Sequence, residues 1–280
     1  MEQQNGVATV APNSTDQQVI IKELYTKAVF PGKLVMLGCG SIGRAILPML
    51  LKHTDMTSDR MRIMTADEAG KRTAASLGVE FVIEPVTPEN YKTVLKKHLS
   101  AGDFLLNLSV DVESIDLIVW CQKNNVLYLD TSTEQWPGFS TNPSNTLVER
   151  TSYAYREQFI SVSTKYKDGP TSVVDHGANP GLISHFLKAA LLDIAISVGN
   201  GAATIGTPHD RAGWAKLMQE LKVRVVQISE RDTQDSPAYK QADEFVNTWS
   251  VGGFLGEATQ PVELCWGTHE KELPQDGHQH

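Results

Sequence analysis

Between the apolar run Lys33-Leu-Val-Met-Leu37 and the segment Arg44–Leu51, whose apolar residues recur at helical spacing, the chain reads Gly38-Cys-Gly-Ser-Ile-Gly43. A G-x-G-x-x-G turn leading from a strand into a helix is the signature of a dinucleotide-binding crossover. The first glycine allows the tight turn, the second lets backbone approach a pyrophosphate, and the third lets the helix pack against the strand. The helix N-terminus then offers unpaired N–H groups and a partial positive charge to phosphate. Gly38, Gly40 and Gly43, with Ser41 and Ile42 between them, are the first candidate cofactor contacts.

The residues that follow continue the alternation this turn demands. A strand over 61–65 completes a βαβ unit with strand 33–37 and helix 42–53. Asp67 lies just past it, where a carboxylate accepts hydrogen bonds from ribose hydroxyls. Its distance from Gly38 exceeds the usual spacing by the polar insertion 54–59. No arginine directly follows Asp67 to hold a 2′-phosphate, which favours NAD over NADP; in isolation Asp67 also reads as the start of a turn. Strands are then predicted at 80–83, 104–109, 126–130 and 172–176, separated by helices at 88–98, 112–122 and 144–158. Strands spaced by helices predict an α/β fold, a Rossmann-like doubly wound parallel sheet. Ligands of such sheets sit beyond the strands' carboxyl ends, which marks Ser109–Asp111 and Asp130–Glu134.

Gly177-Ala-Asn-Pro-Gly181 opens a helix reaching Leu192, with Asn179 suited to its N-cap and Pro180 to its first turn. Beyond residue 200 the alternation fails. A long helix is predicted over 210–228, and the glycine-rich, aromatic stretch 248–257 reads as a loop or the start of a bent strand. Cys265–Glu270 has the same texture. Three divisions follow: an N-terminal extension with a short helix over 1–29, its cap at Thr15 with Gln18; an NAD-binding Rossmann domain over 30–176; and part of a substrate and dimerisation domain over 177–280. This last region reads as an α+β domain that looks incomplete.

Composition narrows the partners. A net charge of −8 disfavours nucleic acid. The three cysteines are scattered, which speaks against a disulfide framework or a cysteine zinc site and fits a reducing cytoplasm. No apolar stretch approaches the roughly 18 residues of a membrane span, and residues 1–14 lack a signal core. H-E-x-x-H, G-x-S-x-G and P-loop patterns are absent, and no metal is expected.

Several pieces together resemble the bacterial homospermidine synthases, within the saccharopine dehydrogenase-like group of Rossmann enzymes. They are the glycine turn, Asn107-Leu-Ser-Val-Asp111, Val126-Leu-Tyr-Leu-Asp-Thr131, Gly177-Ala-Asn-Pro-Gly181 and Trp249-Ser-Val-Gly-Gly-Phe254. The resemblance implies NAD-dependent condensation of two putrescines, or spermidine and putrescine, into homospermidine. Ammonia or 1,3-diaminopropane is released, and the NADH formed is used again within the cycle. Carried over residue by residue, Asp111 and Glu134 flank the substrate at the sheet's edge, while Glu230 and Glu257 hold amines or move protons. Trp249 lays its indole against a cationic amine, and Asn179 hydrogen-bonds near nicotinamide or substrate. Ser109 and Thr131 join the turn residues and Asp67 as cofactor contacts. A homodimer acting on a small polyamine is the implied assembly. Members of the family run on well past residue 280, so the resemblance implies a chain shortened at its C-terminal side. Taken without the resemblance, Asp111 is equally a helix cap, Glu230 a solvated charge and Trp249 a core residue. A related imine dehydrogenase consuming NAD(P)H, or an NAD-binding fragment without turnover, are the alternatives. The former needs a basic clamp for a carboxylate substrate, and no basic cluster accompanies these positions in sequence.

Overall fold

The order of the strands decides where a ligand can sit. In the computed structural model, which describes residues 27–198, 207–233, 238–261 and the single positions 272 and 275, β1 (Leu34–Leu37) lies at the centre of a six-stranded sheet. It pairs in parallel with β2 (Met61–Thr65) on one side and β4 (Phe104–Asn107) on the other. β3 (Glu80–Ile83) extends the first side, and β5 (Leu127–Asp130) and β6 (Ser172–Val173) the second, giving the order β3-β2-β1-β4-β5-β6. Every pairing is parallel. The order reverses between β1 and β4, and the loops leaving those strands diverge there.

Side chains alternate between two apolar layers, as the strand period requires. Leu34, Met36, Ile63 and Leu106 pack on one face with Leu47 of α1 (Ser41–His53) and Ala74 of α2 (Lys71–Ser76). Val35, Leu37, Leu105 and Tyr128 pack on the other with Leu95 of α3 (Tyr91–His98) and Leu117 of α4 (Ser114–Asn124). Helices therefore cover both faces, and the doubly wound sheet of the sequence reading is the observed architecture.

Helix ends follow local capping more closely than apolar spacing suggests. α5 spans Ser152–Lys165, not 144–158: Thr151 is its N-cap, its Oγ1 accepting the Ala154 N–H at 3.1 Å. α2 has no counterpart in the sequence reading. After β6 comes α6 (Leu182–Ser197), which begins with Gly181 at φ 124° in the N-cap position. Asn179 is thus not the cap, nor Pro180 the first helical residue. Gly177–Gly181 instead closes on itself, the Gly177 N–H donating to Pro180 O at 2.8 Å and the Leu182 N–H to Gly177 O at 2.9 Å. α7 (Arg211–Glu220) is capped by Asp210, whose Oδ1 accepts the Gly213 N–H at 2.8 Å. It stops well short of residue 228, because Lys222 turns left-handed at φ 56° and the following valines and isoleucine are poor helix formers. α8 (Val251–Thr259) replaces the loop or bent strand expected at 248–257. Beyond residue 177 the described elements are helices; the helix expected to begin at Thr15 falls largely, and Cys265–Glu270 wholly, outside the described residues. Among the described residues, no helix is long and apolar enough to cross a membrane.

Leu105, central in β4 and 0% exposed, tests the sheet's core. Leu105→Ala should lower the unfolding free energy by about 2–5 kcal/mol in chemical denaturation.

Candidate active site

The glycine turn is built from close backbone contacts. Gly38 sits at φ +82°, and a Cβ there would lie 2.6 Å from Leu108 O and 2.8 Å from the Ser109 N. Only glycine fits where the β1 and β4 loops touch. Gly43 is buried, and a Cβ there would meet Gly38 O at 3.1 Å, which keeps α1 pressed onto the turn. At Gly40 the same construction meets nothing within 4 Å. The space over the second glycine is open at the helix N-terminus, as backbone approach by a pyrophosphate requires. The helical ladder starts with the Arg44 N–H donating to Gly40 O at 3.1 Å, so the N–H groups of Ser41, Ile42 and Gly43 precede it. Ile42 is exposed beside that opening. Asp67 is exposed past β2, and its Oδ1 accepts the Ala69 N–H at 2.7 Å, the turn-starting role that the sequence also allowed.

Two loops at the sheet's carboxyl edge hold the acids. Tyr128 and Asp130 are two apart in β5 and share a face. The Tyr128 hydroxyl donates to Asp130 Oδ2 at 2.8 Å and receives Asn107 Nδ2 at 3.3 Å. Asn107 Oδ1 in turn accepts the Ser109 hydroxyl at 2.5 Å. On the other side, Asp130 Oδ1 accepts the Asp175 N–H at 2.7 Å, and Asp175 Oδ1 accepts the Thr133 N–H at 2.9 Å. This buried network ties Ser109 to the loop that carries Glu134. Ser114 at the start of α4 fixes Glu134 itself: its Oγ accepts the Glu134 N–H at 3.0 Å, and its N–H donates to Glu134 O at 3.0 Å. The Tyr155 hydroxyl of α5 adds a second bond to the same carbonyl at 2.6 Å. Thr131 lies against Gly177, where a Cβ would meet Thr131 O at 2.9 Å.

Trp249 and Glu257 approach from α8. Ser250 caps that helix, its Oγ accepting the Gly253 N–H at 3.0 Å. A Cβ on Gly253 would collide with the Trp249 ring, 2.8 Å from Cη2. The glycine that suggested a loop thus lets the indole lie on the first helical turn, and the cap and this contact outweigh a cost of about 1 kcal/mol per helical glycine. Asp111, Glu134, Trp249 and Glu257 line one cavity of about 1350 Å³, with Pro180 beside them. The Asp111 N–H points at Glu134 Oε2 over a long 3.4 Å, its backbone left-handed at φ 60°. Asp111 does not cap α4, whose N-cap is Glu113. Asn179 is exposed next to Pro180, and Glu230 is exposed in the irregular segment after α7, outside this cavity's lining.

Crowded acids and burial set the electrostatics. Burial pushes Glu134 up to about 7, and the charges of Asp111, Asp130 and Glu257 add to it while the Asp111 N–H opposes it. Burial likewise raises Asp130 to about 6 against the pull of Tyr128 and the Asp175 N–H. Glu113 rises to about 6 through burial and the neighbouring Asp116. Arg150, Arg156 and Lys167 line the same cavity, basic side chains that sequence adjacency did not place there. Arg150 is occupied by Ser140 O at 3.1 Å and Arg156 by Glu157 at 2.8 Å. The supporting roles of Tyr128, Ser114 and Tyr155 also escaped the sequence reading; the signal was a tyrosine and an aspartate two apart in an otherwise apolar strand. Among the described residues, no group of three or more His, Cys, Asp and Glu is arranged to hold a metal ion.

Comparison with known proteins follows these features. The profile of the saccharopine dehydrogenase NADP binding domain matches residues 34–173. The chain is 42% identical over 252 residues to a homospermidine synthase of Mesorhizobium japonicum, covering 89% of this chain and 52% of that protein. It is 39% identical over 252 residues to a homospermidine synthase of Blastochloris viridis, with the same coverage of 89% and 52%. The crystal structure of homospermidine synthase from Legionella pneumophila in complex with NAD superposes with a TM-score of 0.78 at 36% identity, over 91% of this chain and 52% of that one. The chain spans about half the length of the curated relatives it matches.

The acids make stability depend on pH. Glu134 titrates near 7 in the fold against 4.5 for an ordinary glutamate, so the native state holds this proton more tightly than the unfolded chain. Its contribution therefore falls as pH rises from about 4.5 through 7. Glu134→Gln should flatten that fall by about 1–3 kcal/mol in urea unfolding compared at pH 5 and pH 8.

Proposed function

The chain belongs to the family of saccharopine dehydrogenase NADP binding domains, and from that premise we propose that it binds NAD at the glycine turn and acts on a diamine as a homospermidine synthase. One observation carries the reading: the carboxylates of Asp111, Glu134, Asp175 and Glu257 and the Trp249 indole line a single cavity beyond the carboxyl ends of β4 and β5. The relatives named homospermidine synthase and the NAD complex of one of them support it. The open space over Gly40, ahead of the first helical N–H of α1, fits a pyrophosphate, with Ser41, Ile42 and Ser109 beside it and Asp67 at the ribose. Held there by the turn residues and Asp67, NAD would supply reversible two-electron redox chemistry at the amine-bearing carbon.

The residues of the chain handle charge and protons. A diamine carries two ammonium groups at neutral pH, since alkylamines titrate near the lysine value of about 10.4. The reacting nitrogen must be neutral before its carbon can be oxidised. Glu134, held near 7, accepts that proton at the carboxylate and returns it to the departing ammonia during amine exchange. In that exchange the second putrescine's neutral nitrogen forms the new carbon–nitrogen bond as the bond to the first nitrogen breaks. Asp111 and Glu257 hold the ammonium that does not react. The Trp249 face stabilises the cationic carbon–nitrogen centre by about 0.5–2 kcal/mol. Asn179, outside the cavity lining but next to its Pro180, hydrogen-bonds the amide of the cofactor or the substrate, while Glu230, also outside the lining, takes no part in these steps. The acting form is a homodimer in the cytoplasm.

Mass spectrometry after incubating the chain with NAD and isotope-labelled putrescine should show labelled homospermidine and ammonia without accumulating NADH. NADH rising in step with product would favour a dehydrogenase instead, and NAD binding without product would leave a binding fragment. Trp249→Ala should lower kcat/KM for putrescine roughly 3- to 30-fold, with Trp249→Phe retaining more activity.

A further inference from the structure

One carboxylate of the cavity has no role in the reading above. Asp175 follows β6, lines the cavity with Asp111, Glu134 and Glu257, and is half-buried. The sheet order β4-β5-β6 carries acids out on successive loops: Asp111 after β4, Glu134 after β5 and Asp175 after β6. Register makes the first two equivalent, since Asn107 pairs with Asp130 and each acid stands four residues further on. Contacts fix the order across the cavity. The Asp111 N–H points at Glu134 Oε2 from one side at 3.4 Å, and Asp175 Oδ1 accepts the Thr133 N–H from the other at 2.9 Å. Glu134 therefore stands in the middle. Asp111 and Asp175 both turn left-handed, at φ 60° and 52°, a conformation that aspartate tolerates better than most residues. One oxygen of Asp175 is committed to Thr133. The other has no hydrogen-bond partner among the described residues, and no lysine or arginine there pairs with the carboxylate. A half-buried charge in that state suits a cationic ligand.

We propose that Asp175 holds the ammonium of the second, accepting diamine and so selects which amines can accept. The inference rests on the function proposed above and divides its cavity into two arms. Condensing two diamines uses one nitrogen of each at the reacting carbon. One ammonium remains on each chain, since alkylamines titrate near about 10.4. The product is symmetric about its secondary nitrogen, with an identical arm ending in an ammonium on either side. A site for it needs a group that exchanges protons at the centre and an anion at each end. Glu134 in the middle, Asp111 on one side and Asp175 on the other match that pattern. The arm at Asp111 then takes the diamine that is oxidised, and the arm at Asp175 the one whose neutral nitrogen replaces ammonia. Asp175 takes part in no bond that forms or breaks; it binds a charge and orients the chain behind it.

Competition between acceptors tests this. The whole chain is given NAD, putrescine carrying nitrogen-15 at both ends, and an equal concentration of 1-aminobutane, which lacks the far ammonium. In the mass spectrum, an N-butyl product with a single label formed with 1-aminobutane as acceptor, and triply labelled homospermidine formed with putrescine. The wild-type chain should favour putrescine as acceptor about tenfold or more, the discrimination expected of one hydrogen bond to a charged group. Asp175→Asn keeps an oxygen for the Thr133 N–H and a side chain at ease in the left-handed backbone, so it removes the charge alone. It should abolish most of the preference while changing the yield from 1-aminobutane little. A wild-type chain without the preference, a preference that survives in Asp175→Asn, or equal losses with both acceptors, as a purely structural role requires, would each overturn the inference. Isothermal titration of the NAD-loaded chain needs no turnover: wild type should bind homospermidine about tenfold more tightly than the N-butyl product, and Asp175→Asn should bind the two alike. If no amine binds and no product forms, the reading of the cavity itself fails; binding or product without these differences sinks this inference alone.

Discussion

The contact between Gly38 and the Leu108–Ser109 backbone holds the rest of the site in place. β1 and β4 are neighbours in register, Leu37 opposite Asn107, and the chain leaves them in different directions. Their loops can meet only if one side has no Cβ. The Gly38 contact fixes the crevice, Gly43 presses α1 onto it, and Gly70 presses the β2–α2 loop onto Cys39. Three glycines thus assemble one continuous shelf from the loops that follow β1, β2 and β4. A side chain at Gly38 or Gly70 would separate the turn from its surroundings.

Beneath that shelf runs a polar network that an apolar core would not need. Asp130 is 0% exposed and carries an acid into the interior, at a cost offset by the Tyr128 hydroxyl and the Asp175 N–H. Through Asn107 and Thr133 the network holds both loops at the sheet's edge, and Ser114 and Tyr155 hold the backbone of Glu134. The acids are then rigid, close together and partly desolvated, and they repel one another. A cation in the cavity relieves that repulsion.

Legibility in the sequence tracked the range of the interaction concerned. Strand runs, the glycine turn and the order of acids along the chain are local, and the sheet region over residues 33–176 was read in outline from them. Helix ends were read less well, because Thr151, Asp210 and Ser250 caps and the left-handed Lys222 decide them one residue at a time. At Gly253 the local signal pointed the wrong way: glycine argued for a loop, while the Trp249 ring required glycine in a helix.

By itself the sequence determined the kind of fold and its ligand turn, since period-2 and period-3.6 patterns and glycines at fixed spacing act over a few residues. It also contained Asp111, Glu134, Trp249 and Glu257, yet nothing in their spacing says that they meet. The tertiary structure decided that they share one cavity while Glu230 stands apart. Those proximities join residues tens to more than a hundred positions apart. They arise from sheet order and backbone contact, which no local pattern encodes.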